Sequence, residues 1–226
     1  MLLSITHLFW LGESVLFVVA CINMRRFALT SRWHRIFRVT VFTLVLVNEL
    51  SWFCYRHLVV NLTISKNLPL HLCDISVFVM FAALATNSRR LAELSYFPGV
   101  AGALLAVCLP AIPESGSIRL IAEIRYFLTH IGLVGVGFYL TFGRQDHPPM
   151  RAVLRSYLTV HIYAVAITPL NLYLGTNYFF TLSAPKQFAF LHQYPQWVFV
   201  IAVSAVFLIL FGLMYVPFVR RPAGSQ

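Results

Sequence analysis

Seven apolar stretches, each about the length of a membrane-crossing helix, dominate this sequence. A membrane-spanning helix needs about 20 apolar residues, so seven of them use roughly 140 residues of this 226-residue chain and leave no room for a separate soluble domain. The sequence predicts an all-α, polytopic membrane helix bundle that forms one integral membrane domain over residues 1–226. The stretches occur at about 4–24, 39–59, 69–87, 91–110, 120–142, 152–173 and 197–218.

The composition agrees with this fold class. Hydrophobic residues make up 59% of the chain and charged residues only 11%, against about 45–50% and about 25% in an ordinary soluble domain. A soluble enzyme is therefore excluded. The third stretch is short and opens at Pro69, and the fifth contains Glu123, Arg125 and His130, so a bundle of six helices is the alternative count.

The basic residues predict the orientation of the bundle. Lysine and arginine concentrate in short cytoplasmic loops. With seven helices the basic residues cluster on one side of the membrane, which predicts an N-terminus outside and a cytoplasmic C-terminus. The net charge of +10 then reflects topology and contact with anionic headgroups, and no nucleic-acid partner is expected. The arginines of that side are Arg25, Arg26, Arg32, Arg35, Arg38, Arg89, Arg90, Arg144, Arg151, Arg155, Arg220 and Arg221.

Several ionisable side chains lie inside the predicted spans. Such groups are costly in hydrocarbon and usually face the interior of the bundle. Each one alone is interpreted as an interhelical hydrogen-bonding group. Together, Glu49, Asp74, His130 and His161 also fit the proton relay of a membrane transporter, which is the alternative function.

The segment Asn67-Leu-Pro-Leu-His-Leu-Cys-Asp74 holds the densest group of reactive side chains. Pro69 suits the first turn of a helix, which places Cys73 near a helix N-terminus, a position that favours the nucleophilic thiolate. A nucleophilic cysteine needs a base, and His71, His130 and His161 are the candidates. The other cysteines, Cys21, Cys54 and Cys108, are interpreted as small buried apolar side chains.

Four ordered motifs resemble a known family. LPLHLCDI (68–75), YFPGVAGALLAVCLP (96–110), RYFLTHIG (125–132) and NLYLGTNYFF (171–180) resemble the YwaF-like bacterial membrane proteins, a family similar to transmembrane protein 164. The resemblance covers residues from roughly 40 to the end. It implies a multi-pass acyltransferase of the bacterial inner membrane, with Cys73 as nucleophile and His130 as base.

The leading hypothesis is therefore acyl transfer, or lipid hydrolysis, through an acyl-thioester on Cys73. Membrane phospholipids are the expected donor and acceptor, with no metal, no diffusible cofactor and no obligatory protein partner. An intramembrane metal enzyme and a purely structural bundle are further alternatives, although the sequence lacks an HExxH motif. The residues expected to orient the site or the substrate are Glu49, His71, Asp74, Tyr126 and Asn171.

Overall fold

The computed structural model describes residues 4–110, 112 and 119–219. Over these residues the chain is helical and contains no β-strand. It divides into two compact units, Met1–Asp146 and His147–Gln226. The prediction of an all-α polytopic bundle is confirmed, whereas the orientation of the termini and the single domain stay predictions. Arg220 and Arg221, which the orientation uses, lie outside the described residues.

The described part of the first unit contains seven α-helices. Two of them continue into π-helical turns, Ser95–Val100 between α5 and α6 and Tyr139–Gly143 after α7, so that Arg89–Cys108 and Arg119–Gly143 each form one long helix. Pro98 lies inside the first of these turns. The α-helices are α1 Ile5–Asn23, α2 Arg32–Leu58, α3 Ile64–Asn67, α4 Leu72–Thr86, α5 Arg89–Leu94, α6 Ala101–Cys108 and α7 Arg119–Phe138.

The second unit is a helix pair, α8 Arg151–Leu174 and α9 Gln196–Val219. Gly175, with φ at +63°, ends α8 in the left-handed conformation that glycine adopts without strain. In the pair, the His161 ring nitrogen Nε2 lies 2.8 Å from the Ser204 hydroxyl.

Six helices of the described chain are long and apolar enough to cross a membrane. The seventh predicted span, 69–87, is the shorter helix α4, which has 15 residues. At 1.5 Å per residue it is about 22 Å long, less than the hydrocarbon thickness of about 30 Å. The difference arises at its start, because Pro69 and Leu70 precede the helix and Leu72 is its first residue.

Helix α7 lies at the centre of the first unit and packs against α1, α2, α4 and α6. Glycines permit this close packing. A Cβ atom at Gly132 would lie 3.1 Å from Val45 of α2, and one at Gly135 would overlap Phe17 of α1. Side chains of α7 therefore reach every helix that carries a candidate site residue of this unit.

Candidate functional site

The N-terminus of α4 presents the candidate nucleophile. Asp74 Oδ2 accepts a hydrogen bond from the His71 backbone N–H at 3.0 Å, which fixes the first turn in the manner of a capping box. The first helical hydrogen bond runs from Ile75 N–H to the His71 carbonyl. The N–H groups of Leu72 and Cys73 precede that bond, so they lie among the donors that a helix leaves without an intrahelical acceptor. The partly buried Cys73 is thus the second residue of a helix.

A polar cluster joins α2 to α7. The Glu49 carboxylate accepts a hydrogen bond from the Thr129 hydroxyl and another from Asn48 Nδ2 at 3.4 Å. Its second oxygen lies 3.4 Å from Arg125 Nη2, and the Arg125 guanidinium lies 4.7 Å from the centre of the Trp52 ring. Asn48 also donates to Thr129 at 2.8 Å. Glu49 is therefore held by three groups from two helices.

A double-mutant cycle can measure the interaction energy between Glu49 and Arg125. Both side chains are about one-fifth exposed, so we expect Glu49→Gln and Arg125→Gln to show a coupling energy of roughly 1 kcal/mol, within the range of about 0.5–3 kcal/mol for contacting groups. Reversible unfolding in detergent measures it. The matched control pairs Arg125→Gln with Glu123→Gln, because Glu123 accepts its hydrogen bond from Trp10 Nε1 at 3.0 Å. Additivity in the Glu49 cycle would contradict the pairing.

The start of α4 lies in the field of this cluster. Cys73 and Asp74 both interact electrostatically with Glu49 and Arg125. Asp74 also interacts with Arg56. Glu49 of α2 therefore lies within electrostatic range of Cys73 and Asp74 of α4, although no hydrogen bond joins Glu49 to either of them in the described part of the chain.

His130 is buried on α7 and its ring is fixed by its own helix. Nδ1 lies 2.6 Å from the Tyr126 carbonyl oxygen. A carbonyl only accepts, so the proton of a neutral ring is on Nδ1 and the lone pair is on Nε2. The ring packs on the Tyr126 ring with centroids 4.2 Å apart, and the Tyr126 hydroxyl donates to the Ala106 carbonyl at 3.0 Å. Tyr126 thus orients His130, and Nε2 has the lone pair that a general base requires.

Contacts between α7 and the preceding long helix, Arg89–Cys108, show which residues of that helix lie beside His130. Tyr126 lies beside Ala106, and eleven residues further along α7 a Cβ at Gly137 would overlap Val100. His130 falls between these two contacts. It therefore lies at the level of the residues between Val100 and Ala106.

The contacts between α4 and α6 define the level of Cys73. A Cβ at Gly102 would lie 2.9 Å from the side chain of Leu72, the residue before Cys73. Because Gly102 also lies between Val100 and Ala106, the levels of Cys73 and His130 fall within the same stretch of the long helix that contains α6, about 9 Å long. We call this stretch their shared layer. Among the described residues the Cys73 thiol has no hydrogen bond, so no direct bond joins Cys73 to His130. Their partnership stays a prediction.

A family comparison is decisive for the chain as a whole. A sequence model of the TMEM164 family matches residues 2–215. This chain belongs to the TMEM164 family. The predicted similarity to transmembrane protein 164 is confirmed, and the family match and the six apolar helices together define a multi-pass membrane protein. No curated protein and no solved structure matches the chain.

The TMEM164-family chain places Asn171, another predicted site residue, in its second unit. Its side chain is fully buried and hydrogen-bonded. Nδ2 donates to the Tyr178 carbonyl at 2.8 Å and to the Thr181 hydroxyl at 2.9 Å, while Oδ1 accepts from Tyr178 N–H at 2.8 Å and from the Thr176 hydroxyl at 2.9 Å. These bonds use both amide protons and both lone pairs. In this structure Asn171 orders the segment after α8, and its predicted role towards substrate stays a prediction.

The cysteines of the TMEM164-family chain differ in burial. Cys21 is fully buried, as expected of a small apolar side chain, but Cys54 and Cys108 are exposed. The prediction that all three are buried is wrong for these two. They lie on apolar helices whose outer faces hold many exposed aliphatic side chains, and a thiol is compatible with such a face.

Sequence reasoning missed part of the polar cluster in this TMEM164-family protein. Arg125, Asn48 and Thr129 were outside the predicted site, yet all three contact Glu49. One signal was available, because Arg125 and Thr129 are four residues apart and share a helix face. The partner of that face is set by packing between segments about 76 residues apart in the sequence. No local sequence pattern predicts which helix that partner is.

A groove of about 340 Å³ runs beside this cluster. Its walls are mainly apolar and aromatic, with Trp52, Tyr55 and Ile124 on them and Asn48 and Arg125 as polar groups. A cavity of this size and chemistry suits part of an amphipathic ligand. Over the described residues, no group of three His, Cys, Asp or Glu side chains is arranged to hold a metal ion.

Proposed function

We propose that this protein is an integral membrane acyltransferase that moves a fatty acyl chain between phospholipids through a thioester on Cys73. The observation that supports this proposal is the shared layer of Cys73, at the N-terminus of α4, and His130, whose proton-bearing Nδ1 is engaged by Tyr126 and whose Nε2 lone pair is available. The resemblance to YwaF-like proteins supports a location in a bacterial cell membrane.

The first half of the reaction acylates the enzyme. His130 Nε2 takes the proton of the Cys73 thiol, and the thiolate attacks the ester carbonyl carbon of the donor phospholipid. The carbon–oxygen bond to glycerol breaks, and the protonated His130 returns the proton to the departing alkoxide. The products are a lysophospholipid and an acyl-thioester. The backbone N–H groups at the start of α4 are suited to stabilise the tetrahedral oxyanion, since preorganised donors act most strongly in a dry site.

The second half reverses these roles. His130 accepts the proton of a lysophospholipid hydroxyl, whose oxygen attacks the thioester carbonyl. The carbon–sulfur bond breaks, and the Cys73 thiolate recovers a proton from His130. Water in place of the lysophospholipid gives hydrolysis. Forming a covalent intermediate divides one difficult displacement into two easier ones.

The remaining site residues hold the reacting groups and the substrate in place. Asp74 and His71 fix the turn that carries Cys73, through the hydrogen bond between them. Glu49 holds Arg125 beside the groove, where a guanidinium suits the phosphate of a lipid headgroup. Tyr126 orients the His130 ring. Each of these residues is expected to affect turnover less than Cys73 itself.

Peptide mass spectrometry tests the proposal. Purified protein is incubated with a phospholipid whose acyl chain carries an isotopic label, without an acceptor. We expect the labelled acyl mass on the peptide that contains Cys73, and its loss after hydroxylamine, which cleaves thioesters. Cys73→Ala should abolish the adduct, whereas Cys54→Ala and Cys108→Ala, at exposed cysteines, should retain it. Equal labelling in all variants, or transfer that persists in Cys73→Ala, would exclude the thioester mechanism.

A further inference from the structure

A second and larger groove lies between α1 and α2, over a floor formed by α7. Its volume is about 580 Å³. The walls are formed almost entirely by apolar and aromatic side chains, among them Phe9 and Phe17 of α1 and Ile36 and Leu44 of α2, with Gly132 at the floor. Neither Cys73 nor His130 lines it, and neither do Glu49, Arg125 and the other residues assigned to acyl transfer, so the acyl-transfer site does not account for this groove.

One end of the groove lies in a cluster of positive charge. Met24, Phe27 and Trp33, in the connection between α1 and α2 and at the start of α2, line that end. Arg25 and Arg26 lie within the same connection, and both are exposed. An apolar channel is therefore followed directly by cationic side chains.

Three contacts hold this connection in place. The buried His34 ring lies 3.3 Å from the Phe27 carbonyl through Nε2 and 3.0 Å from the Tyr139 hydroxyl through Nδ1. The exposed Arg32 guanidinium lies 5.2 Å from the centre of the Trp33 ring. The connection at the basic end of the groove is thus held against Tyr139, the first residue of the π-helical turn after α7.

The length of the groove fits a lipid tail. Phe9 and Met24, both on its wall, are fifteen residues apart, or about 22 Å at 1.5 Å per residue. One leaflet of a bilayer contributes about 15 Å of hydrocarbon, half of about 30 Å. Glu13 is the carboxylate of the wall, and it lies about 18 Å along the helix from Arg25. It is too far away to neutralise the basic end.

We propose that this groove binds an anionic phospholipid, with an acyl tail along α1 and α2 and the headgroup at Arg25, Arg26 and Arg32. A basic group near a membrane surface attracts anionic lipid, and the apolar walls bury the tail. The site goes beyond the proposed acyl transfer, because it needs no reaction and none of its residues is assigned a role in that reaction.

Lipid binding to the full-length protein in detergent tests the proposal. Native mass spectrometry measures the binding of phosphatidylglycerol and of phosphatidylcholine with identical tails. We expect phosphatidylglycerol to bind more tightly. The triple variant Arg25→Gln, Arg26→Gln and Arg32→Gln should weaken its binding by roughly tenfold or more, and Thr40→Phe, at an exposed position on the wall, should weaken the binding of both lipids.

The control is Arg89→Gln with Arg90→Gln, an exposed basic pair at the start of α5. It should bind phosphatidylglycerol like the unmodified protein. Equal weakening in this control, or normal binding in Thr40→Phe, would overturn the proposal in favour of general surface attraction. The acyl adduct on Cys73 is measured in the same triple variant. The adduct tests acyl transfer, whereas the lipid-binding measurement tests the groove, so each proposal can fail independently of the other.

Discussion

Replacing His130 with glutamine is expected to slow acylation of Cys73 by roughly 10²- to 10⁴-fold, the usual contribution of a general base. Glutamine keeps a polar side chain of similar reach but has no lone pair basic enough to accept the thiol proton. The rate is measured as the initial appearance of the labelled acyl mass on Cys73. Thiol labelling of the unfolded variant checks that the cysteine is intact.

The matched control for this substitution is His161→Gln on α8. His161 has the same local geometry, with Nδ1 2.8 Å from the Tyr157 carbonyl and its ring centroid 4.1 Å from that of Tyr157. Its Nε2, however, lies 2.8 Å from the Ser204 hydroxyl. We expect His161→Gln to acylate within about threefold of the unmodified protein, far inside the loss that removal of a base causes. A large loss in His161→Gln together with an unchanged His130→Gln would assign the base to His161.

The second large effect is on stability. Gly137→Ala is expected to lower the free energy of unfolding by about 1–3 kcal/mol, the usual cost of overpacking a tight interior. An added Cβ would overlap Val100 Cγ2 and lie 3.1 Å from the Ser95 carbonyl oxygen. The carbonyl belongs to the backbone of the π-helical turn, so it is less able to move aside than a flexible side chain. Unfolding in mixed micelles, followed by tryptophan fluorescence, measures the change.

Gly12→Ala is the control for that substitution. Gly12 lies on α1, and a Cβ there would meet nothing within 4 Å. Alanine is the better helix former by about 1 kcal/mol, so this variant should be as stable as the unmodified protein or slightly more stable. A destabilisation as large as that of Gly137→Ala would show that helical glycine itself, and not close packing, sets the response.

The sequence alone was enough to predict the helices, since an apolar run long enough to span a membrane satisfies its backbone hydrogen bonds by forming a helix. The run at 152–173, for example, corresponds to α8 at Arg151–Leu174. The prediction was less accurate where a helix begins inside an apolar run. Apolarity continues through Pro69 and Leu70, but the helix that follows begins at Leu72, because backbone hydrogen bonding and not hydropathy sets that boundary.

The sequence was enough to select several candidate site residues, but it did not predict which of them contact one another. Cys73, Asp74 and Glu49 stood out because polar groups in apolar spans are rare. The contact of Glu49 with Arg125 depends on how α2 packs on α7, which a single sequence does not encode. The same holds for Asn171, whose four hydrogen bonds come from a loop conformation with no periodic pattern.

The shortness of α4 has a consequence for how a lipid would reach the enzyme. If α4 ends at one face of the hydrocarbon core, a helix of about 22 Å begins about 8 Å inside a core of about 30 Å at the other face. Cys73, its second residue, would then lie beneath the charged headgroups, on the hydrocarbon side of the glycerol ester groups. A donor lipid diffusing sideways in its own leaflet would present the scissile carbonyl to the sulfur without first being lifted into water.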